Sequence, residues 1–266
     1  MKKILFIGDI VGQKGRQAVL FHLSKLKKKH NIDFVIANAE NATHGKGLIY
    51  HHYESLLDYG IDCLTLGNHY DAKSEIRHYL DGALSLVRPY NLLKEYPGVG
   101  TTVFKDDRFS IRITNLLGSA FMSEEVKNPF DCLDEIIKKE EKTDIHIVDF
   151  HAEATGEKYA LAHAFDGQVS AIIGTHTHVQ TRDARILSNG TGYISDVGMT
   201  GPYEGILGVN PESIIKRLWH NEKVVFTLDN RPSAIFSAII ISVDETTGLT
   251  LEITPLYLLE NNLDAN

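Results

Sequence analysis

Cysteine is scarce in this sequence, and long apolar runs are missing from it. The only cysteines among 266 residues, Cys63 and Cys132, are too few for a disulfide framework or for a zinc site built from thiolates. Both lie within apolar patterns, so we expect buried thiols in a reducing compartment. No run is long or apolar enough to span a bilayer, and Gly8-Asp9 interrupts the apolar N-terminus too early for a signal peptide. These absences predict a cytoplasmic protein.

The sequence has fewer basic residues than acidic ones. Lysine and arginine total 27 against 35 acidic residues, which gives a formal net charge of -8. This balance argues against direct nucleic-acid binding and against attraction to an anionic membrane surface. A small phosphorylated substrate is still compatible with it, because a bound metal ion can reverse the sign of the local field.

The remaining composition is that of an ordinary globular protein. Of the 266 residues, 43% are hydrophobic and 23% are charged, and we find no repeat, linker or low-complexity tract. We therefore expect a single domain that spans residues 1–266.

Apolar strands alternate with helical segments along the chain. Residues 3–8, 34–37 and 61–66 are near-continuous apolar runs, and helical spacing follows each run, at 16–29, 53–59 and 74–80. This order indicates a buried and largely parallel sheet. We expect two further strands, at 144–150 and 169–173, and three further helices, at 129–142, 158–165 and 211–219. Antiparallel pairs of strands are expected at 100–117, with a turn at 105–108, and also at 184–195 and 235–258.

Polar side chains follow five of these predicted strands. A lone His-x-His pair is more often an ordinary pair of polar residues than a metal site, but here four other predicted strands also end in side chains that can bind a metal. Because ligands collect outside the carboxyl ends of strands in open α/β sheets, we expect all these residues to face one crevice. The two histidines of the pair lie two positions apart, so their side chains should leave the chain on the same side. In chain order the residues are Asp9, Glu40-Asn41, Asn68-His69, His151, and His176 with His178.

The donor set indicates a metal site. Carboxylate, amide oxygen and imidazole without thiolate suit iron or manganese, with zinc possible. About seven donors exceed what one tetrahedral ion uses, so we expect two ions, about 3.5–4 Å apart, that share a carboxylate. Such a pair would supply a bridging hydroxide to attack a phosphoryl centre. His69, beside Asn68, is placed to protonate the leaving oxygen as general acid.

These residues, in this order, resemble the motifs of the calcineurin-like metallophosphoesterase superfamily. Three stretches are similar to one branch of it, the YmdB-like bacterial phosphodiesterases: residues 6–12 (FIGDIVG), residues 38–47 (NAENATHGKG) and residues 197–202 (VGMTGP). The resemblance covers essentially the full length. It implies a four-layer α/β/β/α sandwich with mixed, largely parallel sheets, a dinuclear centre, and hydrolysis of 2′,3′- and 3′,5′-cyclic nucleotides. It also implies a homo-oligomer.

The resemblance further implies an assignment of ligands. The first motif of the superfamily is Asp-x-His, but Val11 stands at the histidine position, and Glu40 would take the bridging role usually held by an aspartate. Asn41 is equally compatible with a turn-forming role. By analogy one ion would be held by Asp9, Glu40, Asn41 and His178, and the other by Glu40, Asn68, His151 and His176.

Two other functions fit the same residues. The site could hydrolyse phosphomonoesters, as a nucleotidase or a protein phosphatase does. A regulator without catalysis could use the fold to bind a nucleotide or a partner protein, although it has no evident need for His69 or for two ions. His44, Lys46 and Arg182 are either contacts to a substrate phosphate or solvated side chains.

Overall fold

The structure is a computed structural model that describes residues 1–107 and 109–263. Arg108, at the predicted turn of the first hairpin, lies outside the described residues, as do residues 264–266. The elements in chain order are β1 (Lys2–Ile7), β2 (Asp9–Ile10), α1 (Gly12–His30), β3 (Phe34–Asn38), α2 (Tyr50–Asp58), β4 (Cys63–Thr65), α3 (Ile76–Tyr79), β5 (Leu86–Val87), β6 (Thr101–Lys105), β7 (Ser110–Leu117), α4 (Pro129–Lys139), β8 (Ile145–His151), α5 (Thr155–Ala164), β9 (Ala171–Thr175), β10 (Arg185–Ile186), β11 (Gly192–Ile194), β12 (Met199–Pro202), α6 (Pro211–His220), β13 (Ala234–Val243) and β14 (Thr250–Glu260).

The first of two sheets contains the predicted parallel strands. Over the described residues its order is β2-β12-β13-β1-β3-β4-β5, and β14 pairs with β13. The half from β1 to β5 is parallel, with Ile4 opposite Phe34 and Ile36 opposite Cys63. β13 runs antiparallel to both β12 and β1. The carboxyl ends of β1, β3 and β4 therefore lie side by side.

The second sheet has the order β10-β11-β9-β8-β7-β6 within the described part of the chain. Its middle strands β7, β8, β9 and β11 are parallel, and the hairpins β6–β7 and β10–β11 add antiparallel outer strands. At the carboxyl edge, His151 of β8 is paired opposite Thr175 of β9.

Alternation along the strands explains why the sheets stack. In β1, Ile4 belongs to the apolar layer between the two sheets, whereas Leu5 belongs to the layer beneath α1 and α2. In β8, Ile147 belongs to the layer between the sheets, and Val148 packs with Leu161 of α5 on the outer side. Each sheet is thus apolar on both faces, one against the other sheet and one against helices. The predicted four-layer α/β/β/α sandwich with mixed, largely parallel sheets is confirmed.

Two details of the helices differ from the sequence prediction. Helical spacing predicts a helix over residues 74–80, but α3 covers only Ile76–Tyr79 and a single 3-10 turn follows at Leu80–Gly82. Leu20 fits an apolar pattern in α1, yet it is 56% exposed. It lies about 100° around the helix from Val19, outside the stripe that packs on the sheet. No helix among the described residues is long and apolar enough to cross a membrane.

Candidate metal centre

The polar residues predicted from the strand ends meet in one cluster. Three of the strands that these residues follow or end belong to the first sheet and two belong to the second, so the cluster lies where the carboxyl edges of both sheets adjoin. Asp9 follows β1, Glu40 and Asn41 follow β3, Asn68 and His69 follow β4, His151 ends β8, and His176 and His178 follow β9.

Glu40 is the central residue of this cluster and is 1% exposed. Its Oε1 lies 3.3 Å from Nε2 of His151 and accepts a 2.9 Å hydrogen bond from Nδ2 of Asn41. Its Oε2 accepts the backbone N–H of His69 at 2.9 Å. Burial alone would raise the pKa of Glu40, but His151 and His69 outweigh burial and hold that pKa well below its usual range. The ionised carboxylate thus connects the loops after β3 and β4 of the first sheet with the end of β8 in the second sheet.

A buried hydrogen-bond chain behind His151 fixes its ring. Oγ1 of Thr175 donates to Oδ1 of Asp149 at 2.7 Å and lies 2.9 Å from Nδ1 of His151. Because the hydroxyl proton goes to the carboxylate, the bond to His151 requires an N–H at Nδ1. Burial disfavours a charge on this ring, but Glu40 and Asp9 outweigh burial and raise the pKa of His151 to about 9, so without a metal both ring nitrogens carry protons. Nε2 faces the cluster, 3.0 Å from Nδ1 of His176 and 3.1 Å from Oδ1 of Asn68, and loss of its proton would leave the lone pair that a metal ligand needs.

Asp9 is fully buried, and its Oδ1 is a buried carboxylate oxygen without a hydrogen-bond partner among the described residues. This oxygen lies 3.9 Å from Nδ1 of His151 and 4.0 Å from Nε2 of His178. Burial raises the pKa of Asp9, and the two histidines offset only part of that effect. The other oxygen, Oδ2, accepts the backbone N–H of His176 at 3.3 Å. A buried carboxylate oxygen without a donor is costly unless a cation lies beside it, so Oδ1 has the environment of a metal ligand.

Asn41 lies inside the cluster and is 2% exposed. Its Nδ2 lies 3.1 Å from Nε2 of His178, and its Oδ1 lies 2.9 Å from Nδ1 of His69. On its other side, Nδ1 of His178 lies 3.3 Å from the backbone oxygen of Leu207. That contact places the proton of the neutral His178 ring on Nδ1 and leaves Nε2 able to bind. The Asn41 side chain therefore does more than close a turn.

The backbone conformation at His176 and His178 is unusual and sets the direction of both side chains. Their φ angles are 106° and 66°, in the left-handed region that residues other than glycine rarely adopt. The alternation of an extended strand, on which the sequence prediction relied, therefore does not apply to this segment. Nε2 of His176 also lies 3.2 Å from Oε2 of Glu153. Such backbone strain persists only where the surrounding structure holds it.

The centre of the cluster brings together donor atoms that can bind one ion. Glu40, His151 and His176 each offer one donor atom, and these atoms lie within 4.8 Å of one another. Gly67 packs directly against two of these side chains, because a Cβ built on it would lie 2.3 Å from Oε2 of Glu40 and 2.4 Å from Nε2 of His151. Burial, followed by the charge of His151, lowers the pKa of His176 to about 4. Its ring is therefore neutral, as a metal ligand must be.

His69 lies at the rim. Its side chain is 27% exposed, compared with 0% for His151, 23% for His176 and 16% for His178. Its Nδ1 faces two acceptors, Oδ1 of Asn41 at 2.9 Å and Oε1 of Glu40 at 3.3 Å. The ring is thus both held by the cluster and open to solvent.

A family model described as YmdB-like protein matches residues 5–256. The chain belongs to the YmdB-like family. It is 45% identical over 262 residues to the 2′,3′-cyclic-nucleotide 2′-phosphodiesterase of Bacillus subtilis strain 168, with 98% of each sequence covered. A crystal structure described as a novel phosphatase from Mycoplasma pneumoniae matches with a TM-score of 0.92 at 40% identity, covering 98% of this chain and 94% of that one.

More distant structures share only the fold of this YmdB-like chain. The NAD nucleotidase of Haemophilus influenzae matches with a TM-score of 0.56 at 16% identity, covering 97% of this chain and 56% of that one. Membership of the family predicted from the sequence is confirmed, and so is the metallophosphoesterase-type sandwich.

Several residues that shape the YmdB-like site did not emerge from the sequence. Asp149, inside β8, accepts a 3.1 Å hydrogen bond from Nδ2 of Asn38 in addition to the bond from Thr175. Nζ of Lys158 lies 3.0 Å from Oδ2 of Asp196, and both side chains are buried. In the sequence these residues appear only as charged residues next to apolar ones, and that pattern does not identify their partners.

Three residues left open by the sequence lie at the surface. His44, Lys46 and Arg182 are exposed, and the ring of His44 lies 6.4 Å from that of His52. Contact of these residues with a substrate phosphate stays a prediction. Both cysteines are free and buried, as expected.

Proposed function

We propose that this chain is a two-metal phosphodiesterase that hydrolyses cyclic nucleotides, with 2′,3′-cyclic nucleotides as its first substrate class. The observation that carries the proposal is the convergence of carboxylate, amide and imidazole side chains from five strand ends on one small volume. The enzyme class predicted from the sequence, a hydrolase of phosphoric diester bonds, is confirmed by the relative from Bacillus subtilis. Activity on 3′,5′-cyclic AMP and GMP is the part of the proposal that rests on family resemblance.

The donors fit two divalent or trivalent ions. They are oxygen and nitrogen atoms without thiolate, which suits iron or manganese, with zinc as a third option. The unpartnered Oδ1 of Asp9 and the grouping of donor atoms from Glu40, His151 and His176 are the features that support a bound cation. When bound, such a pair neutralises charge on a phosphoryl oxygen and lowers the pKa of a water. We assign Asp9, Glu40, Asn41 and His178 to one ion, and Glu40, Asn68, His151 and His176 to the other.

Asn41 needs a rearrangement to serve as a ligand. Its Oδ1 faces His69, while its Nδ2 faces Glu40 and His178. A rotation of the amide by about 180° exchanges the two atoms, which have nearly the same size. In the rotated state Oδ1 lies on the side where the first ion is proposed. The bond to His69 is then made by Nδ2, so Nδ1 of His69 has to accept it.

His69 serves as the general acid in this proposal. Acceptors at Oδ1 of Asn41 and Oε1 of Glu40 favour a proton on Nδ1 in the metal-free arrangement. In the metal-bound arrangement, where Nδ1 accepts from Nδ2 of Asn41, the ring proton would lie on Nε2 and would pass to the leaving oxygen as the P–O bond breaks. No side-chain nucleophile is required.

Hydrolysis of phosphomonoesters is the second candidate function. A relative from Mycoplasma genitalium, 42% identical over 234 residues, is named phosphatase/phosphodiesterase, which leaves both ester classes open for that protein. The same two-metal arrangement can serve either reaction, since both proceed through attack on phosphorus. A regulator that binds a nucleotide without turnover is the third reading.

A substrate panel separates these functions. Chain stripped of metal and reloaded with Mn²⁺ is assayed on 2′,3′-cyclic AMP, 3′,5′-cyclic AMP, bis-p-nitrophenyl phosphate and p-nitrophenyl phosphate. We expect turnover of the diesters, with the 2′,3′-cyclic compound fastest. Turnover of p-nitrophenyl phosphate alone would establish the monoesterase, and binding of cyclic AMP without product would establish the regulator.

Three broader expectations belong to the same proposal. We propose that residues 1–266 form one domain, that the protein is cytoplasmic and that it forms a homo-oligomer. The net charge of -8 supports the expectation that it does not bind nucleic acid directly. Light scattering coupled to size-exclusion chromatography tests the oligomeric state.

A further inference from the structure

We infer that Lys158 and Asp196, a buried ion pair outside the ligand set, are positioning residues that hold His176 and His178 in the geometry needed to bind metal. The inference rests on the proposed function for the identity of the ligands. It concerns what holds the two histidines.

The ion pair forms hydrogen bonds to the peptide groups on both sides of His176. Nζ of Lys158 donates to Oδ2 of Asp196 at 3.0 Å and to the backbone oxygen of Thr175 at 2.9 Å. The same Oδ2 accepts the backbone N–H of Thr177 at 2.9 Å. The two side chains are 2% and 1% exposed, so water does not compete for these bonds. The carbonyl before His176 and the amide after it are thus bonded to one buried charge pair.

Backbone pairing cannot supply this restraint. The ends of the segment are anchored by main-chain bonds, from Val197 N–H to the oxygen of Gly174 at 2.9 Å and from Met199 N–H to the oxygen of His178 at 3.2 Å. Strand β9 ends at Thr175, so the peptide groups around His176 lie between these anchors. With φ of 106°, His176 adopts a conformation that relaxes unless its neighbours are held.

The two partners come from different parts of the fold. Lys158 projects from α5, and Asp196 follows β11, where its Oδ1 also accepts the N–H of Gly198 at 2.8 Å. The pair therefore ties the histidine segment to an outer helix and to the adjacent strand. Residues of this kind, which orient ligands without binding the ion, commonly change metal affinity about 10- to 100-fold when they are replaced.

The test has to remove both charges at once, because deleting one partner leaves an unpaired buried charge and destabilises the chain for that reason alone. We choose Lys158→Met with Asp196→Asn, which keeps an oxygen acceptor near Thr177. The matched control is Lys2→Met. Lys2 is 11% exposed and pairs with Asp33 at 3.8 Å at the start of β1, the end of that strand away from Asp9.

Two readouts that do not depend on turnover are compared. Titration of chelator-treated protein with Mn²⁺, followed by the electron paramagnetic resonance of free Mn²⁺, should give a Kd about 10- to 100-fold higher for the double variant and an unchanged Kd for the control. Hydrogen exchange of metal-free protein should be faster at residues 175–178 in the double variant. Wild-type values in both measurements would overturn the inference.

Two further outcomes are informative. If the double variant does not fold, Lys158→Gln with Asp196→Asn, which also removes both charges but leaves two polar side chains, is measured by the same criteria, with the same results for and against. If the wild-type chain itself binds no Mn²⁺, Fe²⁺ or Zn²⁺, the proposed function fails. The exchange comparison is made without metal, so it still decides whether the ion pair holds the segment.

Discussion

Oε1 of Glu40 lies 3.3 Å from Nε2 of His151, and both side chains are almost fully buried. Glu40 follows a strand of the first sheet and His151 ends a strand of the second. This contact therefore joins the two sheets at the point where the proposed ions bind. In the proposed assignment of ligands, Glu40 is the residue whose charge both ions share.

Glu40→Gln should deplete both ions. The substitution keeps the size of the side chain but removes the charge that the two proposed ions share. We expect metal content after dialysis, measured by inductively coupled plasma mass spectrometry, to fall well below that of the wild type. Glu252→Gln on β14 is the control, because Glu252 is exposed and lies outside the cluster. Retention of wild-type metal content by Glu40→Gln would rule out a bridging role.

His69→Ala should separate turnover from metal binding. A positioned general acid contributes about 10²–10⁴-fold to rate, so kcat should fall by that factor while metal content stays at the wild-type value. A diester with a good leaving group, such as bis-p-nitrophenyl phosphate, should be less affected, because its leaving oxygen needs less protonation. Loss of metal together with activity would make His69 a ligand instead.

Asp149→Asn should weaken metal binding without touching a ligand. Burial raises the pKa of Asp149 to about 6, and its carboxylate sets the direction of the Thr175 hydroxyl that orients His151. We expect the Kd for Mn²⁺ to rise about 10- to 100-fold. Asp144→Asn is the matched control, since Asp144 precedes the same strand at its other end and is exposed. Equal effects of the two substitutions would contradict the orienting role.

His146 should make the chain less stable in acid. Burial, with a further contribution from Arg112, lowers the pKa of His146 from 6.5 to about 3. The unfolded chain then binds more protons than the folded chain between these values, so the stabilisation is fully present above pH 6.5 and is lost as the pH falls. In His146→Gln the free energy of unfolding should depend less on pH in this window, by a slope approaching about 1.4 kcal/mol per pH unit. Urea unfolding at several pH values checks this, and parallel curves for variant and wild type would refute it.

The strand ends were the predictable part of the site. Asp9, Glu40 and Asn68 each follow an apolar run with helical spacing behind it, so their common edge follows from the rules of parallel sheets. The relation between the two sheets did not follow from those rules. That His151 meets Glu40 depends on how two separate sheets stack, which is decided by apolar packing between residues far apart in the chain.

The restraints behind the ligands were the unpredictable part. Lys158 and Asp196 are 38 residues apart, and an isolated charge in a sequence is usually solvated. Asp149 has the same ambiguity inside β8. The positive φ of His176 could not be predicted either, because the backbone preference of histidine disfavours it and only the surrounding contacts impose it.

The most direct test of the two-metal phosphodiesterase is the rate at which Mn²⁺-loaded chain hydrolyses 2′,3′-cyclic AMP, compared with the same chain after chelation. We expect turnover that disappears with the chelator and returns when Mn²⁺ is restored. Undiminished hydrolysis after complete removal of metal, or no hydrolysis of any phosphodiester with two ions bound, would contradict it.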